Sequence, residues 1–182
     1  PLMTDGTAFV QLEEEFRHAF EMSVIDLPRN MLINFPHLLA DVNVVVLATE
    51  MTLASARDAI RILSWLKTNA PHARPIVVAN KVQAGMAEIS KADFEASIER
   101  KINITIPYDI KAAANAAKLG QTFVEANRSS KAGAAMRDLA NAVIGSAEDA
   151  AAEAIEKAPG AKKSLLGKFG DFKSLLPAKA RK

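Results

Sequence analysis

Four short apolar runs recur along the chain, Val24-Ile25, Val42 to Thr49, Ile76 to Ala79, and Ile102 to Ile106, and all but the second are closed by a turn-forming residue. β-Branched residues suit a pleated, half-buried or buried strand. Val44-Val45-Val46-Leu47 and Ile76-Val77-Val78-Ala79 run on without polar alternation, as strands covered on both faces do. Between the runs, apolar residues return at three- and four-residue steps, the period of a helix. Parallel neighbours need long crossovers, so strand, helix, strand, helix, strand, helix, strand predicts an α/β fold with a mostly parallel sheet flanked by helices.

Phe9, Leu12, Phe16 and Phe20 share one face of a predicted helix over roughly 7–21, directly before the Val24 strand. Pro28 cannot continue a hydrogen-bond ladder and disfavours helix at Leu27, which places Asp26 at a strand's carboxyl end. Thr49 or Thr52 caps the next helix, whose expected core stripe is Leu53, Ala56, Ile60, Leu63 and Leu66. Ser90-Lys91-Ala92-Asp93 has the capping-box pattern with Asp in place of Glu, ahead of Phe94, Ile98 and Ile102. Ile110 to Leu119 reads as a helix stopped by Gly120, and Lys131 to Ile144 as another with Met136, Leu139, Val143 and Ile144 inward.

Charge divides the chain. Residues 162–182 carry a net +6, whereas the remainder carries −4. The mildly acidic body argues against nucleic acid as a partner, and the basic tail suits an anionic surface. Three segments are expected: a domain over 1–145, an Ala- and Glu-rich linker over 146–161 that is helical or flexible, and the basic tail over 162–182. Pro1 in place of an initiator methionine reads as the later part of a longer protein. Cysteine is absent, which excludes disulfides, thiolate metal sites and cysteine nucleophiles.

Asp26, Asn80 and the Pro107-Tyr108-Asp109 turn each follow a predicted strand. In a parallel sheet those ends lie on one edge, where ligands bind. Asp and Asn are also common wherever strands turn into loops, so both readings stand at this point. The phosphate-cradling pattern GxxxxGK[ST] is absent; Gly167-Lys168-Phe169 lacks the first glycine and the hydroxyl. His18, His37 and His72 have no partner at metal-ligand spacing, and Ser55, Ser64 and Ser97 lack a nucleophile-elbow context. With Trp65 and Tyr108 the sole Trp and Tyr, no stacking platform for single strands exists.

Taken in order, Ile25-Asp26-Leu27-Pro28, Val44-Val45-Val46-Leu47, Ser55-Ala56-Arg57-Asp58-Ala59, Val77-Val78-Ala79-Asn80-Lys81 and Ile106-Pro107-Tyr108-Asp109 with Gly120 resemble the second half of the ParA/MinD family of deviant Walker ATPases. Asp26-Leu27-Pro28-Arg29-Asn30 and Ala54-Ser55-Ala56-Arg57-Asp58 look most like the CpaE/TadZ branch, which serves Flp or Tad type IV pilus assembly. The resemblance covers about Phe9 to Ile144. It implies a P-loop NTPase-like sheet without its central P-loop strand, which leaves a gap beside the Asp26 strand. It further implies that Asp26 holds Mg²⁺ through water at the catalytic centre and that Leu27, Pro28, Arg29 and Asn30 form a phosphate-sensing switch loop. Asn80 would bond the adenine edge, with Pro107, Tyr108 and Asp109 beside the base. The family usually follows this aspartate with Pro, small residues and Gly; Arg29 and Asn30 depart from that wording.

By the same resemblance, the expected function is that of a nucleotide-dependent switch or localisation factor in pilus assembly. ATP and Mg²⁺ are its cofactors once the upstream half is supplied, and a homodimer engages the pilus secretion machinery. The alternative is a catalytically silent scaffold. Leu165, Leu166, Phe169, Phe172, Leu175 and Leu176 fall within half of a helical wheel. Such a stripe with flanking lysines suits a membrane interface, as in MinD-type relatives, and equally suits docking on the body or on a pilus partner. A cytoplasmic protein, peripheral on the inner membrane, is the expected location.

Overall fold

The computed structural model describes residues 6–157. Contacts divide the chain into a unit ending at Ala147 and a second beginning at Glu148; the fold below is that of the first. Its elements are α1 (Gly6–Ala19), α2 (Arg29–Asn34), a 3-10 turn (Pro36–Leu39), β1 (Val44–Thr49), α3 (Leu53–Asn69), β2 (Arg74–Val82), α4 (Lys91–Ile98), β3 (Ile104–Pro107), α5 (Ile110–Leu119), α6 (Phe123–Ala126) and α7 (Lys131–Lys157). The helix α7 takes in the first part of the segment read as a linker.

Both strand pairings are parallel, in the order β1-β2-β3. Val45, Leu47 and Thr49 share a face with Pro75, Val77 and Ala79, because Leu47 stands opposite Val77 in register. On that face Leu47, Met51, Val77 and Ala79 pack with Ala56 and Ala59 of α3 and with Phe94 and Ile98 of α4. A second cluster joins Leu39, Leu66 and Ala70, with Leu27, Leu32, Val42 and Val45 packed against it. Helical crossovers bury this face, and β2 is buried on its other face too, but the expected two-sided cover of β1 is not present: Val46 and Ala48 on its other face are exposed.

Helix boundaries follow local chemistry. The Thr52 hydroxyl accepts from the Ser55 N–H at 3.1 Å and caps α3, while the Ser90 hydroxyl accepts from the Asp93 N–H at 3.1 Å and caps α4. Gly120 ends α5 at φ 61, a left-handed backbone that glycine adopts freely. Asn103 extends the sheet without being in a strand: it accepts from the Val77 N–H through Oδ1 at 2.8 Å and donates its own N–H to the Val77 carbonyl at 2.9 Å.

Two further expectations need correction. The strand expected at Val24-Ile25 is absent: residues 22–28 carry no regular structure, and Val24 is 86% exposed. A strand exists only inside a ladder, and no described segment pairs with Val24-Ile25. Leu12, Phe16, Phe20, Met22 and Ile25 are exposed with it. The core stripe of α3 keeps the expected Ala56, Leu63 and Leu66 but not Leu53 and Ile60. Ala56, Ala59 and Leu66 are buried and Leu63 is half-buried, whereas Leu53 and Ile60 face water. The steps from 56 to 59 to 63 to 66 are equally helical, and the small Ala59 permits close approach to the sheet.

Glu95 stitches the end of α4 to β3. Its carboxylate accepts from the Ile102 N–H at 3.0 Å and meets Lys101 Nζ at 2.8 Å and Lys91 Nζ at 3.8 Å. The Lys101 hydrogen bond, then that of the Ile102 N–H, holds the Glu95 carboxyl below the usual glutamate range. A depressed folded-state pKa means the unfolded chain binds the proton more tightly, so this stabilisation is full above the ordinary glutamate value and is lost as pH falls through the folded one. Urea midpoints measured from pH 7 down to pH 3 are expected to fall less steeply with pH for Glu95→Gln than for the unaltered chain.

Candidate functional site

The carboxyl ends of the three strands gather Glu50, Asn80, Lys81 and Tyr108. A register shift between Ala79 and Val82 marks a bulge in β2, so Asn80 and Lys81 lie inside the strand where the pairing to β3 breaks. Bulges re-aim side chains next to sites. Lys81 adopts the left-handed region at φ 53, unusual for a residue with a side chain. Its Nζ reaches Glu50 Oε1 at 2.8 Å, which bridges the ends of β1 and β2. Hydrogen bonding and attraction to Glu50, with a smaller contribution from Tyr108, raise the Lys81 ammonium above its ordinary value.

The Asn80 Oδ1 accepts from the Lys81 N–H at 2.9 Å, while Asn80 Nδ2 has no partner among the described residues. Pairing resumes at Val82 opposite Pro107, and the Tyr108 N–H donates to the Val82 carbonyl at 3.0 Å. Asp109 is occupied as the cap of α5, where its Oδ1 accepts from the Ala112 N–H at 2.9 Å. Asn80, Pro107, Tyr108 and Asp109 therefore do reach one edge. The edge carries the unpartnered Asn80 amide, the exposed Tyr108 and the Glu50–Lys81 ion pair.

Asp26, unlike these residues, does not follow a strand. It lies in the unpaired stretch before α2, is exposed, and has no ion pair among the described residues. No group of three or more His, Cys, Asp or Glu able to hold a metal exists among the described residues. Mg²⁺ is commonly held by one or two carboxylates together with nucleotide phosphates, so Asp26 could serve that ion only where a phosphate is held beside it. The loop that follows is anchored on α3. Leu27 packs on the cluster of Leu39, Leu66 and Ala70; Pro28 precedes α2 at φ −60 and ψ 141; and Arg29 forms an ion pair with Asp58, which Arg61 also approaches at 3.7 Å. Asn30 is exposed in the first turn of α2.

Glu50 and the role of Lys81 escaped sequence reasoning. The available signal was position: Glu50 follows a predicted strand as directly as Asn80 ends one. The tail residues Leu165, Leu166, Phe169, Phe172, Leu175 and Leu176 lie outside the described residues.

No family model matches the chain, and no curated protein matches it in sequence. Solved structures do match the fold. The MinD cell division protein of Aquifex aeolicus superposes with a TM-score of 0.66 at 20% identity over 78% of this chain and 61% of that one. The cell division ATPase MinD of Pyrococcus furiosus gives 0.64 at 19% identity over 78% and 59%. A ParA family ATPase from Chlorobium tepidum TLS gives 0.50 at 24% identity over 56% and 41%. The chain thus has a ParA/MinD-like α/β fold and spans less than two thirds of the length of each of these structures.

Proposed function

We propose that this chain, which has the ParA/MinD ATPase fold, serves as the C-terminal part of a nucleotide-dependent switch or localisation factor in Flp/Tad type IV pilus assembly, of the CpaE/TadZ kind. The observation that carries the reading is the arrival of Asn80 and the Pro107-Tyr108-Asp109 turn at one carboxyl edge of a parallel sheet. There Asn80 bonds the adenine edge, and Pro107, Tyr108 and Asp109 flank the base. ATP and Mg²⁺ bind only with an upstream half that supplies the phosphate loop. Among the described residues Val44–Thr49 is an edge strand and carries no Pro or Lys, so its unpaired side is compatible with a further strand supplied by that half. Such a strand would order Asp26 beside the phosphates, with Leu27 to Asn30 as the switch loop.

In the protein carrying this chain together with its upstream half, Asn80→Ala is expected to weaken ATP binding about tenfold, the worth of one well-made hydrogen bond. Calorimetric titration reads this directly, and unchanged affinity removes Asn80 from the site. A lysine-bearing phosphate loop in the upstream sequence is the companion expectation.

The second reading, a silent scaffold, is favoured by the Arg29–Asp58 ion pair, which ties the loop after Asp26 to α3. An ATPase-negative protein that still forms a homodimer and recruits the pilus secretion machinery is its signature. No helix among the described residues is long and apolar enough to cross a membrane. Attachment to the inner membrane from the cytoplasmic side would then use the basic tail, with its net +6 charge and the stripe from Leu165 to Leu176. In a pelleting assay with anionic liposomes, the full chain is expected to sediment more than one ending at Gly160. Equal sedimentation discards the membrane role.

A further inference from the structure

We infer that Glu50 and Lys81 are positioning residues for Asn80: their ion pair across the ends of β1 and β2 holds Lys81 in left-handed backbone and so orients the Asn80 carboxamide with Nδ2 as its free donor. The inference rests on the reading of this edge as the base-binding side of a nucleotide site. Three observations carry it. Lys81 has a side chain yet sits at φ 53, a region disfavoured by contact between Cβ and the backbone. Its ammonium meets Glu50 Oε1 at 2.8 Å, an attachment just past the end of the neighbouring strand. The Lys81 N–H, whose direction follows from that backbone, donates to Asn80 Oδ1 at 2.9 Å. A backbone N–H can only donate, so the oxygen faces it and the NH₂ group is the end left for a ligand.

The ligand class that fits is a ring with an in-plane acceptor nitrogen, such as a purine nucleoside. Glu50 and Lys81 need not touch it. A surface ion pair offsets only part of the strain in such a backbone, so the effect of breaking it is modest and is read in conformation as well as in affinity.

The test uses the isotopically labelled 182-residue chain in solution NMR with adenosine as the probe. The short distance between the amide and α protons of Lys81 reports left-handed backbone, and the Asn80 side-chain amide signals report the aim. Glu50→Gln and Lys81→Ala are expected to lose the short distance, to shift the Asn80 amide signals and to weaken the adenosine response about threefold. Lys81→Gly removes the ion pair and the Cβ penalty together, and is expected to keep both the backbone and the response. If Glu50→Gln leaves the Lys81 backbone and the Asn80 signals unchanged, the inference is overturned. If Lys81→Gly loses as much response as Lys81→Ala, the ammonium contacts the ligand itself and the positioning role is overturned. Absence of any adenosine response in the unaltered chain removes this edge as a base site that the chain forms alone, while the conformational signals still decide the role of the pair.

Discussion

Phe94→Ala is expected to destabilise the fold by about 3–5 kcal/mol, a large part of the 5–15 kcal/mol that typically separates folded from unfolded domains. Phe94 is fully buried, at 0% exposure, and sits in the cluster that joins α3, α4 and the sheet. Its neighbours there include Leu47 and Met51 from the β1 side, Val77 and Ala79 from β2, and Ile98 and Ile102 from the α4 to β3 crossover. Deleting the ring removes its transfer energy and leaves a cavity that strands held in register cannot close. Urea denaturation followed by far-UV circular dichroism measures the loss. Phe94→Leu, which refills most of the volume, is expected to recover more than half of it. A loss below 1 kcal/mol for the alanine variant would show that this cluster is not the core of the sheet.

Gly133→Ala and Gly145→Ala are expected to act in opposite directions, although both glycines lie in α7. A Cβ on Gly133 would sit 2.2 Å from the Asn127 carbonyl oxygen and 3.2 Å from Ser130 Oγ. That carbonyl is held in place: Ser130 Oγ donates to it at 2.9 Å and accepts from the Gly133 N–H at 2.9 Å. The Asn127 side chain donates to the Ala112 carbonyl at 2.9 Å and the Phe123 carbonyl at 3.2 Å, which ties α5 and α6 to the same turn. Backbone must move to admit the methyl, at a cost of about 1–3 kcal/mol, with the Ser130 cap lost besides. A Cβ on Gly145 meets nothing within 4 Å, so alanine there gains about 0.5–1 kcal/mol from helix propensity. Thermal melts of the two variants side by side read the contrast, and equal shifts would remove the close approach as its cause.

These effects bear on the candidate site through the framework that carries it. Phe94 and Val77 set the spacing of α4 and β2 in the same cluster, and Ala79 precedes the bulge that turns out Asn80 and Lys81. The α5 cap by Asp109 follows directly after Tyr108, so the junction of α5, α6 and α7 supports the other flank of the edge. A variant that loosens either cluster is therefore expected to affect ligand response as well as stability. Asn80→Ala and Glu50→Gln, at half-buried and exposed positions, leave those clusters intact.

Much of this organisation was legible in residue types alone. The unbroken apolar runs at Val44 and Ile76 identify β1 and β2 as strands; β2 is buried on both faces as such a run predicts, whereas β1 leaves Val46 and Ala48 exposed. Ser90 and Thr52 announce their helices because a hydroxyl there satisfies an N–H that the helix itself leaves unpaired. Gly120 closes α5 because the chain needs φ 61 at that point. The arrival of Asn80 and Tyr108 at one edge follows from parallel direction, which the alternation of strand and helix already imposes.

Tertiary structure alone decided the rest. Val24 and Ile25 have the composition of a strand, yet a strand is a relation between two segments, and no described segment pairs with them. Local propensity cannot supply the missing ladder, so Asp26 is left in an unpaired stretch while Leu27 and Arg29 are secured on α3. Periodicity placed Ala56, Leu63 and Leu66 of α3 inward, but contact with the sheet and α4 chose Ala59 in place of Ile60 and left Leu53 exposed. The Glu50–Lys81 bridge was equally invisible: it joins residues 31 apart in sequence, and only the register of β1 against β2 brings their charges to 2.8 Å.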